Sequence, residues 1–241
     1  MAFTPAETVS APVAIVVDVL RATSTITQAI AAGYRQVFCC EGVDEARALG
    51  QARAGSLLAG ERQCVRIPGF DLGNSPSEFV ELRGDSVVLT TTNGTRALVA
   101  AAARCERVLA GSLLNLAAVV DAAREGGGDV TVLCAGVLGA FAMDDAYVAG
   151  RIAELLGGDP TDAARAAMLL RASFPDARAG LAASQSARNL VAADLEEDID
   201  WCARVSVLDV VPVVGGIAGA AVEMHAGSGQ ANMDREVSEG R

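Results

Sequence analysis

Residues 13–30, VAIVVDVLRATSTITQAI, leave few folds open. Val13 to Val17 form an unbroken apolar run rich in β-branched residues, which is how a strand buried on both faces of a sheet reads. Asp18 ends the run with a charge; Arg21 and the hydroxyls Thr23, Ser24 and Thr25 follow, and Ile26, Ala29 and Ile30 then fall at helical spacing. A buried strand that runs straight into a helix is an α/β signature. The junction also gathers a carboxylate, a guanidinium and three hydroxyls where free backbone N–H groups and the helix dipole favour an anion, so it is a candidate phosphate site.

A second junction repeats the pattern. Residues 86–92 end in the strand-like VVLTTT, and Asn93-Gly94-Thr95-Arg96 leads into a helix over 97–104. Further strands are expected at 35–40, 56–59, 107–110 and 129–134, and helices at 43–54, 113–124 and 143–156. The helix at 143–156 carries Asp144 and Asp145 in its first turn. Acids there compensate the helix dipole or, beside a phosphate, hold Mg²⁺. Residues 64–74 read as a long loop, and 75–82 as a helix with Pro76 in its first turn and Glu78 at capping-box spacing from Ser75.

Residues 162–171 and 176–194 read as alanine-rich helices, 194–203 as a short acidic helix, 204–214 as a strand pair or one long strand broken by Pro212, and 215–223 as a last helical turn. Residues 1–12 form a loose lead-in, 13–225 a single domain, and 226–241 a polar tail of low order. No internal repeat is strong enough to assert, although the two junctions allow two similar halves.

Charge narrows the function. The 241-residue chain carries a net charge of −11, which disfavours a nucleic-acid partner. No apolar run is long enough for a membrane span, and the N-terminus lacks the pattern of a signal peptide, so a cytoplasmic protein is expected. All 19 basic residues are arginine and there is one histidine, His225. Lysine chemistry is thereby excluded, and a histidine-centred mechanism has almost nothing to stand on. The six cysteines show no metal-binding spacing and read as reduced thiols.

In an open sheet with helices on both faces, loops past the strand ends collect at one rim. Asp18, Arg21, Thr23, Ser24, Glu61, Thr91, Thr92, Asn93, Gly94, Arg96, Asp144 and Asp145 all lie just past expected strand ends. Acids for a metal, with Arg, hydroxyls and N–H groups for an anion, suit phosphate-ester chemistry. A cysteine-nucleophile plan fails, because no cysteine has an arginine six positions on. A haloacid-type plan fits poorly, because Asp18-Val19-Leu20 lacks the second aspartate and there is no lysine. Metal-assisted attack is what remains.

The motifs DVLRATST (18–25), GFDLGNSP (69–76), TTTNGTRAL (90–98) and CAGVLGAFAMDD (134–145), with DLEEDIDWCARV (194–205) and DVVP (209–212), resemble the 2-phosphosulfolactate phosphatase family, often called ComB. The resemblance implies an αβα three-layer fold with a mixed, largely parallel sheet. It implies a Mg²⁺-dependent enzyme that hydrolyses (2R)-2-phospho-3-sulfolactate, a step of coenzyme M biosynthesis in methanogens, and a homodimer. On that basis Asp18, Arg21 and Asp145 are expected to be catalytic, and Asp18, Glu61, Asp144 and Asp145 to hold the metal. Thr23, Ser24, Thr92, Asn93, Gly94, Thr95 and Arg96 are assigned to the phosphate, and Asn74 with Ser75 to orienting the substrate; Arg62 and Arg188 are further donors. One departure stands out: the family's Ser-x-His-Gly-Arg is Ser184-Gln185-Ser186-Ala187-Arg188 here, so the His-Gly pair is Ser186-Ala187. A general 2-phospho-hydroxy-acid phosphatase and a non-catalytic phosphate-binding relative are the rival readings.

Overall fold

The computed structural model describes residues 1–7 and 10–227. Its strands are β1 (Val13–Val17), β2 (Gln36–Cys40), β3 (Ser56–Arg62), β4 (Val65–Arg66), β5 (Ser86–Thr90), β6 (Arg107–Gly111), β7 (Val130–Cys134), β8 (Pro212–Ala218) and β9 (Ala221–Ala226). They form one sheet in the order β4-β3-β5-β2-β9-β8-β6-β1-β7. Period-2 alternation gives the sheet two buried faces. From β1, Ala14 and Val16 enter one core with Ile26 and Ile30 of α1 (Ala22–Ala31) and Ala97 and Leu98 of α3 (Gly94–Ala102). Val13, Ile15 and Val17 enter the opposite core, with Leu116 and Val119 of α4 (Leu116–Glu125) and Val148 and Ile152 of α5 (Met143–Leu156). Phe38, Cys40 and Val88 pack there-side against Ala46 of α2 (Val43–Ala52). The result is the expected three-layer αβα fold with a mixed sheet.

Strands β3, β5 and β2 are mutually parallel, and so are β6, β1 and β7. The hairpin β8–β9 sits between these blocks and pairs antiparallel with both. Three successive antiparallel steps give the two blocks opposite senses, so the expectation that all strand ends meet at one rim is corrected. The loops still meet, because α1 and α3 lie against each other and begin at one spot. A Cβ on Gly94, at the start of α3, would stand 2.4 Å from the Ala22 Cβ and 2.5 Å from Asp18 Oδ2. Only glycine permits that approach.

Several expectations change. Residues 215–223 are not helical: β8 and β9 join through Gly219-Ala220, with Gly219 at φ +66°, a two-residue hairpin turn. The strand expected over 204–214 starts only at Pro212, where a proline costs no ladder bond. The 75–82 helix is a single 3₁₀ turn, Pro76–Phe79. The 64–74 loop contains β4, folded back on β3 through Gln63 and Cys64 at positive φ. The helix expected over 176–194 is two, α7 (Ala177–Ala182) and α8 (Gln185–Ala192), because the Ser184 hydroxyl accepts from the Ala187 N–H and starts a new helix. The remaining helices are α6 (Asp162–Ala172) and α9 (Glu197–Cys202). Ala2 is not loose: it is buried and pairs with Leu133 along the outer edge of β7. Most of the expected tail, 228–241, lies outside the described residues.

The hairpin's central place makes a prediction. Val222 is paired with Cys39 on one side and Ile217 on the other. Val222→Pro is expected to cost at least about 3 kcal/mol in urea unfolding, since proline removes a ladder donor in the middle of a sheet. Unchanged stability would show that the hairpin is not where it is drawn.

Candidate active site

The loops after β1, β3, β5 and β7 and the helix α8 enclose a cleft of about 710 Å³. Of the sequence-predicted residues, Asp18, Arg21, Glu61, Asn74, Thr92 and Asn93 line it, as do Arg62 and Ser186. Glu61 is delivered there by Gly60, whose φ is +149° and where a Cβ would stand 2.1 Å from the Thr90 carbonyl oxygen. The Glu61 carboxylate accepts from the Thr92 N–H (2.9 Å) and hydroxyl (3.0 Å) and from the Cys64 N–H (2.9 Å). It therefore ties the β5 loop to the β3–β4 turn.

The hydroxyls do different work from the one expected of them. Thr23 Oγ1 accepts from the Asp18 N–H at 3.1 Å and lies 2.9 Å from the Asp18 carbonyl oxygen, Ser24 donates to the Val19 carbonyl at 2.8 Å, and Thr25 donates to the Asn74 carbonyl at 2.8 Å. At the second junction Thr95 donates to the Thr91 carbonyl. Thr23, Ser24 and Thr95 are fully buried and shape the loops that carry the cleft residues. Arg96 is exposed, 3.8 Å from Glu41, and does not line the cleft. Arg188 is exposed too, bonded to Gln185 and the Ala183 carbonyl.

Arg21 is 3% exposed, a rarity for arginine, and is held from three sides. It donates from Nη1 to Ser75 Oγ (3.1 Å) and Asp198 Oδ2 (2.6 Å) and from Nη2 to the Cys64 carbonyl (3.0 Å). Asn74 is buried with its Oδ1 lacking a protein partner. Asp198 is a site residue that the sequence reading did not single out, although it lies in the DLEEDIDWCARV motif.

The acids are buried close together. Burial pushes the Asp18 carboxyl up to about 7; the Ala22 N–H, donating at 3.3 Å, opposes the rise, and the charges of Asp144 and Glu61 add to it. Burial likewise pushes Asp144 up to about 6, opposed first by the Ser186 hydroxyl, which donates at 3.0 Å. Asp145 is raised by burial and then by Asp144 and Asp18. Both its oxygens are engaged, by the N–H groups of Val19 and Gly136 at 3.0 Å each, so it staples the β1 loop to the β7 loop and stands outside the cleft wall.

Among the described residues no three acidic, histidine or cysteine side chains are gathered to cage an ion. Mg²⁺ does not need a cage: it binds through one or two carboxylates, substrate phosphate and water. Asp18 and Glu61 line the cleft and fit that mode, while Asp144 is buried beside Asp18 and does not line it.

The raised carboxyls fix the sign of a pH effect. Asp18 binds its proton more tightly folded (about 7) than unfolded (about 4), so its ionisation costs metal-free stability progressively as pH rises through that window. Asp18→Asn, which cannot ionise, is expected to gain on the wild type from pH 4 to pH 7 and to hold a constant lead above it, in urea titrations with chelator. A lead that does not grow with pH contradicts the burial of that charge.

Residues 2–216 match the family model described as 2-phosphosulpholactate phosphatase. A protein named probable 2-phosphosulfolactate phosphatase from Thermus thermophilus is 39% identical over 226 residues, covering 90% of this chain and 94% of that one. Proteins of the same name from Carboxydothermus hydrogenoformans and Deinococcus radiodurans are each 37% identical, over 202 residues (82% of this chain, 84% of the relative) and 209 residues (84% and 87%). With the family model spanning nearly the whole fold and relatives of that name 37–39% identical over most of their length, the chain belongs to the 2-phosphosulfolactate phosphatase family.

Proposed function

We propose that this chain is a Mg²⁺-dependent phosphatase that hydrolyses (2R)-2-phospho-3-sulfolactate to 3-sulfolactate and phosphate. The observation that carries the reading is the juxtaposition, in one cleft, of a buried guanidinium, Arg21, with two buried carboxylates, Asp18 before α1 and Glu61 at the end of β3. The family's name supplies the substrate class, and the chemistry of the cleft agrees with it. In the reaction a water oxygen forms a bond to phosphorus while the bond from phosphorus to the substrate's C2 oxygen breaks; the water's protons end on that oxygen and on phosphate.

Asp18, with Asp144 or Glu61, would hold Mg²⁺, which when bound neutralises phosphate charge and orients the attacking water. Arg21 grips the phosphoryl oxygens, and Asn93 and Asn74 face the substrate from the adjoining loops. Thr23, Ser24 and Thr95 act behind them by fixing the loops, and Asp145 by fixing the β1 loop. Arg62, Gln63 and Asn189 also line the cleft and are the donors for the sulfonate and carboxylate. Ser186, which stands where the resemblance expects histidine, donates its hydroxyl to Asp144 at 3.0 Å and lines the cleft. The free thiols of all six cysteines accord with a reducing cytoplasm. Assembly as a homodimer completes the reading.

Phosphate release from racemic phosphosulfolactate and from phospholactate, each with Mg²⁺ and with excess chelator, tests the reading. The expected result is metal-dependent release that strongly favours the sulfonated ester, with Asp18→Asn lowering kcat at least about 100-fold while remaining folded. Equal rates on both esters would replace it with a general 2-phospho-hydroxy-acid phosphatase. No release by folded, metal-loaded protein would overturn the hydrolase reading.

A further inference from the structure

We propose that Asp198 is a positioning residue that aims the Arg21 guanidinium into the cleft; the inference rests on the reading of Arg21 as the phosphate-gripping group. Asp198 sits on α9, 177 residues along the chain from Arg21, and is 4% exposed. Its Oδ2 accepts from Arg21 Nη1 at 2.6 Å and from the Ser75 hydroxyl at 2.7 Å, while that same hydroxyl accepts from Nη1 at 3.1 Å. The three groups form a closed triangle. Nη1 is engaged by Ser75 and Asp198, and Nη2 once, by the Cys64 carbonyl, which leaves the Nε–H and a second Nη2–H to donate to an anion. Arginine takes phosphate bidentately through an Nε–Nη2 edge of this kind.

Stability alone is a poor reason for such a contact, because desolvation offsets much of the attraction in a buried ion pair. The surroundings supply a better one. Arg21 lies within electrostatic reach of Asp18, whose neighbours are Asp144 and Glu61. An unanchored arginine in that acidic cleft would turn onto Asp18, cancelling the phosphate's cation and occupying the metal's ligand at once. Asp198 does not line the cleft. It holds the guanidinium from behind and keeps the two charges of the site apart.

A double-mutant cycle tests this on the full chain with Asp198→Asn, Arg21→Ala and the pair, each checked for folding by circular dichroism. The readouts are kcat/KM and calorimetric binding of inorganic phosphate with Mg²⁺. Asp198→Asn is expected to lower kcat/KM on the order of 10- to 100-fold and to weaken phosphate binding in parallel, the scale for a residue that orients another functional group. In the Arg21→Ala background the same change is expected to cost less than about twofold, because its effect runs through Arg21. Full additivity, or loss of activity with phosphate binding unchanged, overturns the positioning role alone. A fully active Arg21→Ala overturns it together with the reading of Arg21. Should Asp198→Asn not fold, Asp198→Glu keeps the charge and displaces the carboxylate by a methylene; wild-type kcat/KM and phosphate binding in that variant overturn the proposal.

Discussion

The burial of Asp18 at the end of a central strand is the condition on which the rest of the cleft depends. Strand β1 is flanked by β6 and β7, so Asp18, the first residue past its end, is carried into the interior whatever the cost of its charge. That cost is high, because Asp144 and Asp145 are buried beside it. The fold tolerates it through directed N–H groups: Ala22 donates to Asp18, and Val19 and Gly136 to Asp145. Two large apolar cores, one on each sheet face, supply the stability that lets these carboxylates remain crowded. Crowded in this way, the carboxylates hold their protons more tightly than they would in water.

The C-terminal hairpin determines which loops can share that site. By separating two parallel blocks and opposing their senses, β8 and β9 prevent the simple rim of a doubly wound sheet. Contact between loops of the two blocks then rests on the packing of α1 against α3 and on glycine at position 94. Glu61 and Thr92 come from one block, Asp18 and Ser186's partner Asp144 from the other. The cleft is thus an interface within one chain, and Arg21 spans it, reaching the β3–β4 turn, Ser75 and α9.

What the sequence revealed was local. A β-branched run closed by polar residues, Asp18 at one junction and Thr92-Asn93 at the other, and followed by helical periodicity identifies both, since each signal acts within a few residues. The roles of Thr23, Ser24 and Thr95 were not legible, because a hydroxyl in a first helical turn reads the same whether it bonds a loop carbonyl or a ligand. Asp144 and Asp145 are adjacent in sequence yet face a serine and a backbone staple respectively, a distinction set by one helical step of about 100°. Asp198 was hidden for the opposite reason: its partner is distant in the chain. The hairpin was misread because its residues, rich in glycine and alanine, take their strand form from neighbours on both sides and not from propensity.

The most direct test of the account is a crystal structure with Mg²⁺ and orthovanadate, a phosphate mimic. The account places the vanadate against the Arg21 Nε–Nη2 edge and the metal on Asp18, inside the cleft shared by the β1, β3 and β5 loops. Vanadate bound elsewhere, or bound in the cleft while Arg21 faces away from it, would contradict the central claim that these two buried residues form the phosphate-handling centre.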